Sequence, residues 1–279
     1  MTDAMWNLLL VGLPESGKST YLGALFHQLK DRSQDGLSLA EMPEDRDYLI
    51  ELESDWLSLR PVRRSQHHGP KEIRIPLQEE EAQRSLELVV PDIIGEEYEN
   101  AWEHGGWSSE IEVRISEADG ILLFVRADDV HEAHLIDVTE KPRQEELSAN
   151  TEPAPWEPSA SPTQAKLCDL LEQVTEMRDG WLPPLTVIVS AWDAVASDGL
   201  APEAWLDWKT PLLSQWLQAQ SPDLTYRVFG ISAQGGDIRE EVVRTELAKN
   251  ADSRPLPEGA DSLTGPIRWL LSKTSTSVS

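Results

Sequence analysis

The chain has 279 residues, 27% of them charged and 39% hydrophobic, which is globular composition on a length sufficient to bury a substantial core. With 24 Lys and Arg against 50 Asp and Glu, its formal net charge is -26; such a surface repels nucleic acid and anionic membrane, and either suits a basic partner or simply keeps the protein solvated. A single cysteine, Cys168, excludes an internal disulfide, points to a reducing compartment and reads as a small apolar core residue.

The opening residues lack the basic stretch of a secretory leader, and the apolar run from Trp6 to Leu13 is far too short to span a bilayer, so a soluble, cytoplasmic protein is expected. Trp6 to Val11 is nearly continuous apolar sequence ending at Gly12, the pattern of a central parallel strand buried on both faces. From Gly17 to Lys30, residues Tyr21, Leu22, Leu25 and Leu29 recur at helical spacing. A second helical pattern between Glu44 and Arg60, carrying Tyr48, Leu49, Leu52, Trp56 and Leu59, reads as an insertion or an embellished crossover. Glu72 to Leu77 alternates, Leu86 to Val90 alternates and then turns fully apolar, and the short connection from Gln78 to Ser85 predicts an antiparallel hairpin.

Further buried-strand runs lie at Gly120 to Val125, Leu185 to Val189 and Thr225 to Ile231. Helical patterns occupy Ser108 to Ala118, Thr163 to Arg178, Glu203 to Gln220, Asp237 to Lys249 and Pro266 to Lys273. Between Asp128 and Pro162 the chain is acidic and then rich in Pro, Ser, Ala and Glu, which predicts a largely disordered insertion within one domain spanning 1–279.

Gly12-Leu13-Pro14-Glu15-Ser16-Gly17-Lys18-Ser19 fits the pattern G-x-x-x-x-G-K-[ST] between an apolar strand and a helix, the context in which a phosphate-binding loop works. Gly12 and Gly17 let the backbone curl so that consecutive N–H groups and the helix N-terminus face anionic oxygen. Pro14 has no N–H, so the cradle is expected to use the amides of Glu15, Ser16, Gly17, Lys18, Ser19 and Thr20. Lys18 would reach the β- and γ-phosphates, and the Ser19 hydroxyl would ligate Mg²⁺.

Three more pieces follow in order. Val90-Pro91-Asp92-Ile93-Ile94-Gly95 places a carboxylate at a strand end and a glycine three residues on, so that Asp92 would hold Mg²⁺ through water and the Gly95 N–H would meet the γ-phosphate. Val189-Ser190-Ala191-Trp192-Asp193 ends another buried strand with a carboxylate suited to N1–H and the exocyclic amine of guanine. Asp193 is equally a residue type that caps helices. Ile231-Ser232-Ala233-Gln234 ends the last strand with a small loop able to bring a backbone N–H to the guanine O6.

On these residues the chain resembles a Ras-like GTPase of the translation-factor-related class. Asp92 and Gly95 match the D-x-x-G of that family, Asp193 matches the last position of its [NT]-K-x-D, and Ser232-Ala233 match its S-A. The resemblance covers most of the chain outside Glu44 to Arg60 and Asp128 to Pro162. It implies a P-loop NTPase three-layer α/β sandwich: a mostly parallel six-stranded sheet of order 2-3-1-4-5-6, strand two antiparallel, with helices on both faces. It further implies GTP and Mg²⁺ as ligands and other proteins as partners. The loop Gly12 to Thr20, the segment Pro91 to Glu96 and the closing Pro266 to Leu271 also resemble bacterial double-GTPase proteins associated with conflict or antiphage gene clusters, which implies a nucleotide-gated regulator acting in antiviral defence.

The chain departs from the Ras-like pattern at three places. Ser190 and Ala191 stand where that family has Asn or Thr followed by Lys, so the lysine that covers the base and braces the phosphate loop is absent. Trp192 would either cover the base instead or belong to the core. No threonine occurs between Thr20 and Thr139, which leaves Ser65 as the hydroxyl near the expected first-switch metal ligand. Its neighbours Arg63 and Arg64 would contact phosphate, act as an internal arginine finger, or simply line a solvated loop. His67 and His68 have no partner at metal-site spacing.

Glu96 follows Gly95 where many relatives carry the glutamine that orients the attacking water. Its carboxylate would accept a proton but also repel the γ-phosphate, so slow hydrolysis is expected. Three readings follow: a GTP-binding switch with slow Mg²⁺-dependent hydrolysis, a non-hydrolysing interaction module with a structural nucleotide, and an ATP-using kinase or ATPase.

Overall fold

In a computed structural model, which describes residues 4–30, 36–44, 46–60, 71–80, 84–92, 95–132, 160–249, 254 and 260–274, the first apolar run forms β1 (Ala4–Val11). Leu8 and Leu10 point to one face of the sheet while Leu9 and Val11 point to the other, and all four are buried. This two-sided burial is why the run is continuously apolar rather than alternating. The loop after β1 leads into α1 (Lys18–Leu29), followed by β2 (Leu37–Leu39) and α2 (Asp47–Leu57). The predicted hairpin is β3 (Lys71–Glu79) and β4 (Arg84–Asp92), paired antiparallel from Lys71↔Asp92 to Glu79↔Arg84. Then come α3 (Gly95–His104), α4 (Ser109–Glu117), β5 (Gly120–Arg126), α5 (Thr163–Met177) and β6 (Leu185–Ser190). The chain continues through α6 (Pro202–Lys209), α7 (Pro211–Ala219), β7 (Tyr226–Ile231), α8 (Glu241–Lys249) and α9 (Gly265–Thr274).

The sheet has seven strands in the order β2-β3-β4-β1-β5-β6-β7, so the six-stranded expectation is corrected by one added edge strand. That strand, Leu37-Ser38-Leu39, pairs antiparallel with β3 and is too short to show a period of two. Inside it the six predicted strands keep their predicted neighbours. β3 runs antiparallel to β4, and β4, β1, β5, β6 and β7 are mutually parallel. Helices α3 to α7 cover the face carrying Leu9, Val11, Leu123 and Val187, whereas α1, α2 and α9 cover the face carrying Leu8, Leu10, Leu122 and Phe124.

The helix expected from Asp237 begins only at Glu241, and two further helical segments differ from their sequence reading for identifiable reasons. The span Glu203 to Gln220 is broken into α6 and α7 because Pro211 cannot donate its amide and pushes Thr210 out of the helical region, to φ -131° and ψ 59°. The acidic segment after Gly95 forms a helix, α3, which the charge run masks; Tyr98 and Ala101, three residues apart, bury its inner face. The helical pattern between Glu44 and Arg60 is α2, packed on α1 through Leu49 and Leu52. Gly23 permits this approach, since a Cβ there would lie 2.7 Å from the Leu52 carbonyl oxygen. Cys168 is buried, and burial pushes its thiol up to about 11, as an apolar core position implies.

The predicted acidic insertion falls largely on residues 133–159, outside the described ones. Its flanks meet: the His131 amide donates to the Thr163 hydroxyl at 2.9 Å and the Thr163 amide donates to the His131 carbonyl at 3.0 Å. Because this reciprocal pair closes the base of the loop, deletion of Glu140 to Pro158 is expected to leave nucleotide affinity intact and to change stability by no more than about 1 kcal/mol. Urea unfolding of the shortened protein checks this; a large loss of stability would mean that the segment packs on the rest.

Candidate nucleotide site

The loop between β1 and α1 leaves the sheet at Gly12, wedged against β5. A Cβ on Gly12 would come within 2.7 Å of the Ser16 hydroxyl oxygen and 3.0 Å of the Phe124 Cβ, so the turn is available only to glycine. Glu15 (φ 60°) and Gly17 (φ 96°) both adopt the left-handed region, and these two residues reverse the chain into α1. Lys18, first residue of α1, folds back over the loop. Its ammonium donates to the Gly12 carbonyl at 2.6 Å, the Leu13 carbonyl at 3.0 Å and the Ser16 hydroxyl at 3.3 Å.

The loop is held from three sides. From α3, the Tyr98 hydroxyl donates to the Leu10 carbonyl at the end of β1, and the Tyr98 ring centre lies 5.4 Å from the Lys18 nitrogen. From β6, the buried Ser190 hydroxyl donates to the Ser16 carbonyl at 2.7 Å. Ser190 also sets how close the strand comes, since a Cβ on Gly17 would stand 3.2 Å from its side chain. From β5, the Arg126 guanidinium donates to the Glu15 carbonyl at 3.1 Å.

Beyond β6, Ala191 takes φ 53° and begins a short 3-10 turn over Trp192–Ala194 that has no side-chain cap. Asp193 therefore does not act as a helix cap; its carboxylate accepts a hydrogen bond from the hydroxyl of Ser232, just past the end of β7. Ser232 in turn accepts the Gly235 amide at 3.2 Å, which closes the turn after β7. Of the two roles open to Trp192, the structure places it in the core: it is fully buried, and a Cβ on Gly230 would come within 2.6 Å of its indole ring.

Ala233 is secured from the opposite side by α2, whose Trp56 indole N–H donates to the Ala233 carbonyl at 2.7 Å. The Arg254 guanidinium stacks on Trp56 with its central carbon 3.9 Å from the ring centre. It donates to the Trp56 carbonyl and, at 3.5 Å, to the Gln234 carbonyl. Burial pushes the Arg254 guanidinium down to about 10.

Asp92 closes β4 and Gly95 opens α3, with Glu96 in its first turn. Since Val89 lies opposite Asn7 in the β1/β4 pair, Asp92, three residues on, stands beside the exit of β1. The candidate residues from Gly12 to Thr20 and Asp92, Gly95, Asp193, Ser232 and Ala233 thus gather along the C-terminal edge of the parallel strands, where such sheets bind ligands. Ser65 and its neighbours Arg63, Arg64, His67 and His68 lie outside the described residues. Among the described residues no group of three or more His, Cys, Asp or Glu could hold a metal ion. The residue types at this edge, Ser19 in the first turn of α1 and Asp92 at the end of β4, are ones that suit Mg²⁺, which keeps its waters and takes phosphate oxygens as further ligands.

The family Double-GTPase 1 matches residues 9–270 of this chain. The chain belongs to that family. No curated protein matches it. A GTPase of the double-GTPase class thus carries its family match across both the Gly12 loop and the Asp193 and Ser232 strand ends. Ser190 and Ala191 read from the sequence as departures, and no motif assigns Ser190, Arg126, Tyr98, Trp56 or Arg254 to the site; the one signal for them is that Arg126 and Ser190 end adjacent strands.

Trp56→Phe removes the indole donor while keeping an aromatic ring under Arg254, leaving the Ala233 carbonyl without that donor. The expected loss is about 1–3 kcal/mol of folding stability, read by urea unfolding. An unchanged unfolding midpoint would show that the bond to Ala233 contributes nothing.

Proposed function

We propose that this double-GTPase chain is a guanine-nucleotide switch, acting as one domain, which binds GTP with Mg²⁺ at the C-terminal edge of its sheet and hydrolyses it slowly. The observation that carries the reading is the hydrogen bond between Asp193 and Ser232 beside a loop whose Ser16 carbonyl is held by Ser190. It joins the strand-end carboxylate to the loop after β7, the two pieces a guanine base needs: an acceptor pair for N1–H and the amine, and a backbone donor from Ser232 or Ala233 for O6.

Each candidate residue then has a defined task. Amides from Glu15 to Thr20 cradle the phosphates, aided by the positive end of α1. Lys18 exchanges its loop carbonyls for β- and γ-phosphate oxygens. Ser19 ligates Mg²⁺ directly, Asp92 does so through water and the Gly95 amide meets the γ-phosphate; Ser65 remains the proposed first-switch ligand. Glu96 is proposed to accept a proton from the attacking water, and its repulsion of the γ-phosphate accounts for a slow rate. The nucleotide state is read by protein partners, and the resemblance to conflict-system proteins supports an antiviral setting. A net charge of -26 argues against nucleic acid and anionic membrane as partners, and among the described residues no helix is long and apolar enough to cross a membrane. A cytoplasmic location is part of the same proposal.

Single-turnover assays with GTP and ATP in the presence of Mg²⁺ test the reading: slow release of phosphate from GTP is expected, tight binding without release would leave a non-hydrolysing module, and a preference for ATP would overturn it. Lys18→Ala should weaken GTP by about 10- to 100-fold without unfolding the protein, since a charge-assisted hydrogen bond to phosphate is lost. Isothermal titration measures this directly. Asp193→Asn should cost GTP on the order of 1–3 kcal/mol and favour XTP, because an amide turns a donor toward the guanine amine but toward the O2 acceptor of xanthine. Ser232 can still donate to the asparagine oxygen, so stability should hardly change. Competition binding with GTP, ATP and XTP on both variants separates these outcomes.

A further inference from the structure

Ser16 and Glu15, adjacent residues of the glycine-rich loop, present their carbonyls outward, and each is met by a donor from a different strand end. Ser190 of β6 serves Ser16 at 2.7 Å and Arg126 of β5 serves Glu15 at 3.1 Å. The two donors are register partners in the parallel β5/β6 ladder, so the sheet delivers them side by side. Ala191, the residue after Ser190, has no side-chain donor, and its left-handed conformation leads the chain into the turn at Trp192.

Arg126 is oriented before it reaches the loop. Its Nε and one terminal nitrogen engage the two oxygens of Asp128 at 2.6 and 3.2 Å, which leaves the other terminal nitrogen for the Glu15 carbonyl. A planar guanidinium gripped in this way has little freedom left. The hydrogen bonds from Arg126 hold the Asp128 carboxyl below the usual carboxylate range. Asp128 also meets Arg239 at 3.3 Å, and Arg239 is clasped by Asp237 at 2.8 Å, so the chain of charges runs from the loop at Glu15 to the segment that follows Ser232 and Ala233.

We propose that Arg126, held by Asp128, is the positioning residue that braces the phosphate loop from β5, in place of a cation at position 191, just past the end of β6. This rests on the guanine-nucleotide reading of the site. The positive charge also lies beside the backbone that would receive a polyphosphate, so its effect acts on ligand affinity more than on folding. Arg126 is partly exposed, and its surface ion pairs add little to stability.

The experiment titrates GTP with Mg²⁺ into the wild-type protein, Arg126→Ala, Ala191→Lys, the double variant and Lys18→Ala, with the unfolding midpoint of each measured alongside. Arg126→Ala is expected to bind GTP about tenfold more weakly at an unchanged midpoint, as the loss of one charge-assisted hydrogen bond implies. Adding Ala191→Lys to it should recover most of that loss, because position 191 directly follows Ser190, the register partner of Arg126, so a lysine there restores a positive charge beside the loop; Ala191→Lys alone should bind as the wild type does. An Arg126→Ala protein that binds normally, that loses affinity only in step with its midpoint, or that Ala191→Lys fails to rescue in a folded double variant overturns the inference. Failure of the wild-type protein to bind GTP, or full binding by Lys18→Ala, would instead overturn the nucleotide-site reading on which it rests.

Discussion

A loop that is to turn its amides toward an anion must dispose of its carbonyls elsewhere, and this accounting governs the structure around Gly12 to Ser19. The Gly12 and Leu13 carbonyls accept from Lys18, the Glu15 carbonyl from Arg126, the Ser16 carbonyl from Ser190 and the Gly17 carbonyl from the Tyr21 amide at 2.9 Å. These donors come from α1, β5 and β6. The loop conformation is therefore a property of three elements brought together by the sheet order, and Gly12 and Gly17 supply the close approach and the left-handed turn that let the backbone reach them.

The same logic extends to the far end of the edge. The loop after β7 is held on one side by Asp193 through Ser232 and on the other by Trp56 through Ala233. Trp56 belongs to α2, which sits on α1 because Gly23 leaves room for the Leu52 carbonyl, and which ends just before residues 61–70. Since a peptide unit is planar and trans, fixing the Ala233 carbonyl from α2 also fixes the direction of the next amide, that of Gln234. The helix that interrupts the Ras-like pattern is thus part of the support for the loop proposed to read the base. Arg254, stacked on Trp56 and donating to Gln234, completes that support from a later part of the chain.

Much of this was legible in the sequence because it depends on short-range pattern. The apolar runs at Leu8 to Val11, Ile121 to Val125 and Val187 to Val189 read as buried strands, and the Gly12 loop reads from residue types alone. What escaped needed the third dimension or was obscured by composition. Leu37-Ser38-Leu39 has too few residues for a period, α3 hides its Tyr98 and Ala101 stripe among glutamates, and Pro211 divides a pattern whose apolar spacing continues across it. In the site, Asp193 was visible as a strand-end carboxylate, yet only the return of β7 beside β6 separates its bond to Ser232 from a helix cap. Arg126 and Trp56 carry no motif; the loop carbonyls they meet lie 111 and 177 residues away.

On the proposed nucleotide-site reading, Lys18 and Arg126 divide between them two tasks that a single cation cannot combine. The lysine is a compact charge on a flexible stem with three donors, and it rests on two carbonyls and a hydroxyl, each of which a phosphate oxygen can replace. The arginine is planar and tied through two nitrogens to Asp128, so the arrival of a phosphate gives it no better partner than the one it has. On the proposed nucleotide reading, transfer of Lys18 to a ligand takes its hydrogen bond from the Gly12 carbonyl, while the Leu13 carbonyl keeps the Ser16 amide at 3.3 Å and Glu15 and Ser16 keep Arg126 and Ser190. The left-handed turn at Glu15 and Gly17 would then persist through the exchange, and the change in nucleotide state would be confined to the lysine and to whatever the γ-phosphate touches beyond Asp92 and Gly95. The proposed switch needs a rigid cradle and a movable cation: the cation, Lys18, belongs to the loop's own motif, whereas the braces, Arg126 and Ser190, come from the ends of β5 and β6.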